Sequence, residues 1–413
     1  MKIAVWHNLP SGGGKRALYY HVRGLVERGH TVEAWCPPTA DQSYLPLKDL
    51  IPEHVVPLDW QPHRPRDPVR RAWANYGNMV AKLAAMDRHC RACAVEIERW
   101  GFDLLFANGD QEFLVSPIGR YVRIPSVLYL QEPYRPLYEA MPRLLWAALP
   151  APDPRRFSPG YAVRFLHNLI KVQAARVQAR EEQRSAAVYD RILVNSLFSR
   201  ESIIRAYGLD AYVCYLGVDT NLFVPQPGPR EPVILGLGTL APAKDPAFII
   251  HAVSQVAKPR PRLVWIANAA IPTYLAELEE LARALQVTFE PKLRITDGDL
   301  VALLNRATVL AYAPRLEPFG FAPLEANACA LPIVAVAEGG VRETVVDGMN
   351  GLLVAHDPAA MASALAHLLS DPAYARQLGG QGRAWVETRW SLSAAIDRLE
   401  THLYAVVAQR ESG

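Results

Sequence analysis

The sequence predicts an α/β protein built from two doubly wound, Rossmann-like halves. Three observations carry that expectation. Short apolar runs alternate with amphipathic stretches of helical period along both halves of the chain. Each half opens on an apolar run followed by a glycine-rich turn, Ser11-Gly12-Gly13-Gly14 in the first and Gly236-Leu237-Gly238 in the second. Between the two series, Leu216 to Pro232 is rich in Pro, Gly and polar residues, as a linker would be. The 413 residues are half apolar and 21% charged, which suits soluble domains and argues against disorder or coiled coil. Lys and Arg (44) against Asp and Glu (41) leave a net charge of +3, too small for the field of a nucleic-acid binder.

In order along the chain, KIAVWHN reads as a strand, PSGGGKR as a turn, ALYYHVRGLVERG as a helix ending at Gly29 and HTVEAWC as the next strand. This βαβ unit predicts a parallel sheet with right-handed crossovers. Asp103–Asn108, Ser126–Gln131 and Arg191–Ser196 are further strands. AKLAAMDRHCRACAVEIERW reads as a helix, so the lone pair Cys90 and Cys93 is assigned to structural thiols in preference to zinc. Five cysteines are an odd and sparse set, which argues against a disulfide framework and for a reducing cytosol. The second series runs PVILGLGTL, AFIIHAVSQVA, RLVWIAN, TYLAELEELARALQ, VTFEP, ATVLAYAP, PLEANACAL and PIVAVA, and two helices follow between Pro372 and Gln409. The start MKIAVWHNLP has no apolar leader, and no run approaches the ~20 apolar residues of a membrane span, so a cytoplasmic protein is expected.

Open α/β sheets bind ligands at the carboxyl ends of their strands, beside helix N-termini whose N–H groups favour phosphate. Both glycine turns stand there, although neither is a complete G-x-G-x-x-G or Walker loop, and either alone is ordinarily a tight turn. A sharper signal is Arg315-Leu316-Glu317-Pro318-Phe319-Gly320-Phe321-Ala322-Pro323-Leu324-Glu325, between a strand and a helix. With Glu317 in the loop and Glu325 in the helix, both carboxylates can face one cleft and accept hydrogen bonds from sugar and ribose hydroxyls. The plain alternative is a capping Glu and a solvated one. The histidines show no metal-ligand spacing, and no metal is expected.

Read on through Gly339-Gly340-Val341-Arg342-Glu343 and Asp347-Gly348-Met349-Asn350-Gly351 to Val354, the segment from Glu317 resembles glycosyltransferase family 4 without a gap. That family shares E-P-F-G-x-x-x-L-E-A followed by G-G-x-x-E-x-V-x-D-G-x-x-G-x-L-V. Leu193-Val194-Asn195-Ser196 with Phe198, and Gly217-Val218-Asp219 with Phe223, resemble further family motifs. Tyr129 to Glu139 resembles the Y-x-H-E-P-x-R-x-L-Y-E of a subset, several of which act with GDP-mannose. The resemblance implies the GT-B fold, with an acceptor domain over 1–220, a nucleotide-sugar domain over 221–389 and a terminal helix, 390–413, returning to the first domain. The two halves would face one another across a cleft.

It also implies retaining transfer from a nucleoside diphosphate sugar to a glycan, lipid-linked or small-molecule hydroxyl, with no cofactor and no metal. By resemblance Glu325 holds the ribose and Glu317 the donor sugar. The N–H groups of Gly13, Gly14, Phe319, Gly320 and Phe321, with Thr239 and Leu324 alongside, complete the donor set. Lys244 neutralises the diphosphate, Asn108 and Gln131 join Glu317 and Lys244 in the catalytic set, and Asp110, Glu132 and Arg135 stand on the acceptor side. Two positions depart from the pattern: Thr239 replaces an arginine that pairs with the lysine, and Gln131 replaces a histidine. Arg315 or Lys15 are the candidates to supply the missing cation. The departures leave open a catalytically weak nucleotide-sugar-binding or partner protein, and a nucleotide-sugar 2-epimerase is a third reading. Residues 141–180 interleave Arg143, Arg155, Arg156, Arg164, Lys171, Arg176 and Arg180 with Leu144, Leu145, Trp146, Phe165, Leu166 and Leu169. That pattern suits peripheral contact with an anionic membrane face, the alternative being apolar residues packed on the core.

Overall fold

The structure, a computed structural model, describes residues 1–138 and 159–411. The chain divides into two compact units: Met1–Val194 with Arg200–Val213 and the C-terminal stretch from Leu399, and Asn195–Ser199 with Cys214–Arg398.

The sheet of the first unit contains β1 (Lys2–Asn8), β2 (Thr31–Cys36), β3 (Glu53–Val55), β4 (Leu104–Asp110), β5 (Ser126–Tyr129), β6 (Arg191–Val194) and β7 (Tyr212–Val213). Its order is β3-β2-β1-β4-β5-β6-β7, and every pairing is parallel. Helices α1 (Gly13–Glu27), α2 (Pro68–Arg99), α3 (Arg135–Tyr138), α4 (Pro159–Ala186) and α5 (Leu197–Tyr207) connect the strands. A parallel sheet covered on both faces needs apolar side chains on both, which is why β5 and β6 carry the apolar runs Val127–Tyr129 and Ile192–Val194 after one polar residue each. β3 and β7 escape a reading by apolar runs because they are two- or three-residue edge pairings, Glu-His-Val and Tyr-Val. Helix α1 begins at Gly13, inside the stretch read as a turn. Gly12, at φ 141°, makes the corner, and its carbonyl accepts the Arg16 N–H at 3.0 Å. Cys90 and Cys93 pack in the core beside Trp6, Ile97 and Phe102, and all five cysteines are buried and free.

The second sheet contains β8 (Val233–Leu237), β9 (Arg262–Ala267), β10 (Phe289–Leu293), β11 (Val309–Tyr312), β12 (Ile333–Val336) and β13 (Gly351–Val354), all parallel in the order β10-β9-β8-β11-β12-β13. Its helices are α6 (Pro246–Ser254), α7 (Pro272–Ala284), α8 (Asp297–Arg306), α9 (Phe321–Ala328), α10 (Val341–Thr344), α11 (Pro358–Ser370), α12 (Pro372–Arg389) and α13 (Leu392–Glu411). Leu216 to Pro232, read as a linker, belongs wholly to the second unit. Two arginines, Arg383 of α12 and Arg230 within the stretch itself, tie it down in place of a ladder. Arg383 donates to the carbonyls of Thr220, Phe223 and Ala328, and Arg230 to those of Leu304, Ala307, Cys329 and Ala330. The C-terminal part of α13 returns to the first unit, where Glu400 accepts from His30 at 2.8 Å and pairs with Arg28.

In each sheet the chain winds outward both ways from a central pair, β1/β4 and β8/β11, and a crevice opens at the carboxyl ends there. No described helix is long and apolar enough to cross a membrane. Of the basic, apolar segment at 141–180, residues 141–158 lie outside the described residues. In the described part, Phe165, Leu166 and Leu169 on α4 are 48%, 40% and 49% exposed, so packing on the core is not their role.

Buried Glu182 of α4 accepts from Gln178 and Tyr207, and burial pushes its carboxyl up to about 7. The folded chain therefore holds a proton there that the unfolded chain releases near pH 4.5, and stability from this group falls as pH rises from about 4.5 to about 7. Glu182→Gln is expected to flatten the melting temperature across that window, as thermal scans at stepped pH will read.

Candidate functional site

In the second unit the site forms where β8 and β11 part. After β8 the chain turns at Gly238, φ +143°, then through the short turn Pro242–Lys244 to left-handed Asp245, whose carboxylate caps α6. After β11 it passes left-handed Leu316 and reaches Glu317, Pro318, Phe319 and Gly320 before α9. These two loops meet through side chains: Lys244 Nζ donates to Glu317 Oε2 at 2.5 Å, with the Lys244 side chain 29% exposed and Glu317 13%.

The loop carrying Glu317 is held from below by the glycine turn after β12. The Gly340 N–H donates to the Glu317 carbonyl at 2.8 Å. A Cβ on Gly340 would lie 2.1 Å from the Pro318 carbonyl oxygen, and one on Gly339 (φ +61°) 2.3 Å from that of Glu317. Glycine is required at both because backbone occupies the side-chain space.

Glu325 lies one turn into α9, only 4% exposed. Tyr312 closes β11 between the two carboxylates and bonds to Glu317. Burial above all, then the charges of Glu317 and Glu325, pushes its phenol well above the ordinary value. Sequence reasoning missed Tyr312; its signal was a lone hydroxyl at the carboxyl end of an apolar strand. Phe319 and Leu324 are core side chains, 2% and 0% exposed, so only their backbone can meet a ligand. α9 starts on left-handed Gly320 with no side-chain cap, as α1 starts on Gly12, so the first N–H groups of both helices have no side-chain acceptor.

Thr239 is exposed beside this site. Of the two cations considered in its place, Lys15 is enclosed. It is fully buried, its Nζ lacks a hydrogen-bond partner, and burial holds its ammonium below the ordinary value against the pull of Glu53, Cys36 and Asp41. Arg315 stays at the site, its N–H bonded to the Ala243 carbonyl at 2.8 Å and its guanidinium 3.3 Å from Glu338.

In the first unit a cavity of about 370 Å³ opens at the carboxyl ends of β1, β4 and β5, lined among others by Gly13, Gly14, Asp110, Gln111, Gln131 and Glu132. Asp110 is 1% exposed; its Oδ1 accepts from Asn8 at 2.7 Å and from the Glu112 N–H at 2.9 Å, while Oδ2 has no hydrogen-bond partner. Burial pushes this carboxyl up to about 7. The Gln131 amide stands 3.5 Å from where a Gly14 Cβ would be, over the start of α1. Arg135 lies 3.5 Å from Glu132, and Asn108 is 2% exposed with Nδ2 unpartnered.

The parallel register of β1 to β3 also gathers His7, Cys36 and Glu53, with ligand atoms within 4.8 Å of one another, although no sequence spacing announces them. His7 bonds to Glu53 at 3.0 Å, and burial pushes the Cys36 thiol up to about 12. With the thiol protonated and the Lys15 ammonium close by, the chemistry of this cluster is polar packing beneath α1, and no ligand role is assigned to it.

Two family models match the chain: Glycosyltransferase Family 4 over residues 11–222 and Glycosyl transferases group 1 over residues 218–385. The chain is 31% identical over 231 residues to the alpha-maltose-1-phosphate synthase of Mycolicibacterium smegmatis, covering 49% of this chain and 59% of that protein. It is 31% identical over 271 residues to a D-inositol 3-phosphate glycosyltransferase of Streptomyces bingchenggensis, covering 56% and 59%. It thus spans about three-fifths of the length of these relatives. The crystal structure of Anabaena HepE in complex with UDP and glucose superposes with a TM-score of 0.71 at 20% identity over 98% of this chain and 99% of that one. That likeness is one of fold, and the fold is GT-B.

Gly340→Ala is expected to lower the melting temperature by about 3 °C or more and to weaken ligand binding in the second unit, since the displaced loop carries Glu317. Thermal scans with and without a nucleotide panel read both effects.

Proposed function

We propose that this chain, which belongs to glycosyltransferase family 4, transfers a hexose from a nucleoside diphosphate sugar to an acceptor hydroxyl with retention of anomeric configuration. The observation that carries this reading is the Lys244–Glu317 pair, 2.5 Å apart at the start of an uncapped helix that also bears Glu325. Few ligands need a fixed ammonium, free helix N–H groups and two carboxylates, one buried and one half-buried, at once. A sugar nucleotide does: the diphosphate takes the ammonium and the N–H groups, and the sugar and ribose hydroxyls take the carboxylates.

In the reaction the acceptor oxygen bonds to the anomeric carbon as the bond from that carbon to the phosphate oxygen breaks. The acceptor proton passes to the departing phosphate oxygen, and the nucleoside diphosphate leaves. Charge grows on the leaving diphosphate, so Lys244 stabilises the transition state more than the ground state. Arg315 supplies the second positive charge that Thr239 does not. Gln131 can donate and accept hydrogen bonds but cannot take a proton at neutral pH, which fits a reaction whose base is the leaving group itself. With Asn108 it orients the acceptor, together with Asp110, Glu132 and Arg135. Because Lys244, Arg315 and the helix N–H groups supply positive potential, the transfer needs no metal ion.

The donor base is open between a GDP-mannose-like sugar nucleotide, favoured by the resemblance from Tyr129 to Glu139, and a UDP-sugar. For a lipid-linked acceptor, residues 141–180 would provide the peripheral membrane contact, with Phe165, Leu166 and Leu169 of α4 exposed for it. Co-sedimentation with anionic liposomes at low salt tests this, and full recovery in the supernatant would refute it.

Thermal unfolding against UDP, GDP, ADP and their sugars is expected to give a stabilising shift with one base, approaching ~4 kcal/mol at a thousand times the dissociation constant. Glu325→Ala should remove that shift. Lys244→Ala should lower turnover by about 10² to 10³-fold while leaving the fold intact. Turnover within twofold of wild type would refute its role at the leaving group. The anomeric coupling of the product, read by NMR, decides retention.

A further inference from the structure

The motif of Asn195-Ser196 with Phe198 has no part in the site as described above, and its place in the fold gives it one. The chain enters the second unit at Asn195, straight after β6, and leaves it again after Ser199. Within this segment Ser196 is fully buried, and its hydroxyl donates to the Pro318 carbonyl at 2.5 Å. The same Oγ accepts the Ser199 N–H at 2.9 Å, while the Ser199 hydroxyl donates to Asn195 Oδ1 at 2.7 Å and leaves the Ser196 proton for Pro318.

Pro318 is the residue through which that hydroxyl reaches Glu317. Its ring fixes φ and removes the N–H, so carbonyl oxygens are what the loop offers to be held by at this point. Gly340 N–H holds the Glu317 carbonyl at 2.8 Å, and Ser196 holds the next one. A Cβ on Gly340 would lie 2.1 Å from that same Pro318 oxygen, so this carbonyl is bonded by Ser196 and confined by Gly340. The peptide that joins Glu317 to Pro318 is thereby fixed in position and tilt. The donor is fastened in turn. The carboxylate of Glu343, on α10, accepts the N–H groups of Leu197 at 2.9 Å and Phe198 at 3.1 Å and the Tyr215 hydroxyl at 2.8 Å. One turn and its short helix thus seat the loop through Gly340 and anchor, through Glu343, the segment that grips it.

We propose that Ser196 is a positioning residue for Glu317, acting through the Pro318 carbonyl, and that Glu343 holds Ser196 in place, so that the two set the grip on the sugar of a sugar nucleotide. This role rests on the reading given above, in which Glu317 meets the donor sugar while Lys244 and the helix N–H groups take the diphosphate. Without the Ser196 hydroxyl the Pro318 carbonyl loses its donor and the loop relaxes by turning it. Glu317 moves with that peptide, whereas Lys244 stands on the other loop and Glu325 inside α9. The loss therefore falls on the sugar and spares the nucleotide.

Calorimetric titration of the full chain tests this with paired probes: UDP against UDP-glucose, GDP against GDP-mannose and ADP against ADP-glucose, read on the base that the wild type binds. In Ser196→Ala the dissociation constant of the sugar nucleotide, divided by that of its nucleoside diphosphate, is expected to rise about fivefold or more, with the nucleoside diphosphate within about twofold of wild type. Glu343→Gln puts an amide where one accepting oxygen stood and is expected to raise the same ratio by about twofold or more. Ser199→Ala is the matched control, since it removes another buried hydroxyl from the same turn but leaves Pro318 its donor. Its melting temperature is expected to fall while the ratio stays at the wild-type value. An unchanged ratio in Ser196→Ala or Glu343→Gln, equal weakening of both ligands, or a rise of the same size in Ser199→Ala would each overturn the proposal while wild-type nucleotide binding leaves the transferase reading standing. A wild type that binds none of the nucleotides would overturn both.

Discussion

The second unit depends on a contact with no room for a side-chain carbon. The loop bearing Glu317 rests on the backbone of Gly339 and Gly340, close enough that any Cβ there would overlap a carbonyl oxygen. That seat sets the height of the loop, and the height sets whether Glu317 meets Lys244, whether Tyr312 can reach between the carboxylates, and where α9 begins. Van der Waals exclusion is steep and cannot be screened by salt, so a polar site is positioned here by an apolar rule. The hydrogen bond from Gly340 to the Glu317 carbonyl then selects one orientation within the narrow space that remains.

Both units use the same device at their centres. A parallel sheet that winds outward from a central pair leaves a crevice at the carboxyl ends, and in both the helix beside it starts on a glycine with no capping side chain. The helices that start elsewhere on Asp67, Asp245, Thr296, Asp357 or Asp371 have their first N–H groups bound by those side chains. Leaving a helix start open forgoes stabilisation of about 1 kcal/mol and leaves donors for a ligand. What differs is charge: the second unit sets an ammonium against its carboxylates, whereas the first encloses its lysine away from the cavity and sets Arg135 against Glu132.

Much of this was legible in the sequence. The apolar runs of β1, β2, β8, β9, β11 and β12 declared a doubly wound architecture, and the stretch from Glu317 to Val354 declared the family by resemblance, its Gly339 and Gly340 standing where close backbone packing demands glycine. The misses have physical reasons. β3 and β7 are edge pairings too short to bear a period. The stretch from Leu216 to Pro232 looked like a linker because its ties, Arg383 to the Thr220 and Phe223 carbonyls and its own Arg230 to the carbonyls of Leu304, Ala307, Cys329 and Ala330, join residues distant in sequence and are invisible to local pattern. α8 and α11 did carry capping signals, Thr296 with Asp299 and Asp357 with Pro358, that went unread against stronger apolar runs. The cluster of His7, Cys36 and Glu53 could not be foreseen, since strand register alone assembles it.

The ion pair between Lys244 and Glu317 has a kinetic consequence. In the folded chain the ammonium already has an anionic partner, so part of its dehydration was met when the chain folded. The diphosphate of the proposed donor would exchange partners with Glu317 instead of finding a naked charge, and the net gain would be the difference between two ion pairs. The released carboxylate is at that moment freed to accept hydroxyls from the same ligand. On departure the original pair re-forms and fills the gap, which lowers the barrier to release. Such a site trades depth of binding for speed of exchange, which is what the proposed transfer would ask of it each time a nucleoside diphosphate leaves.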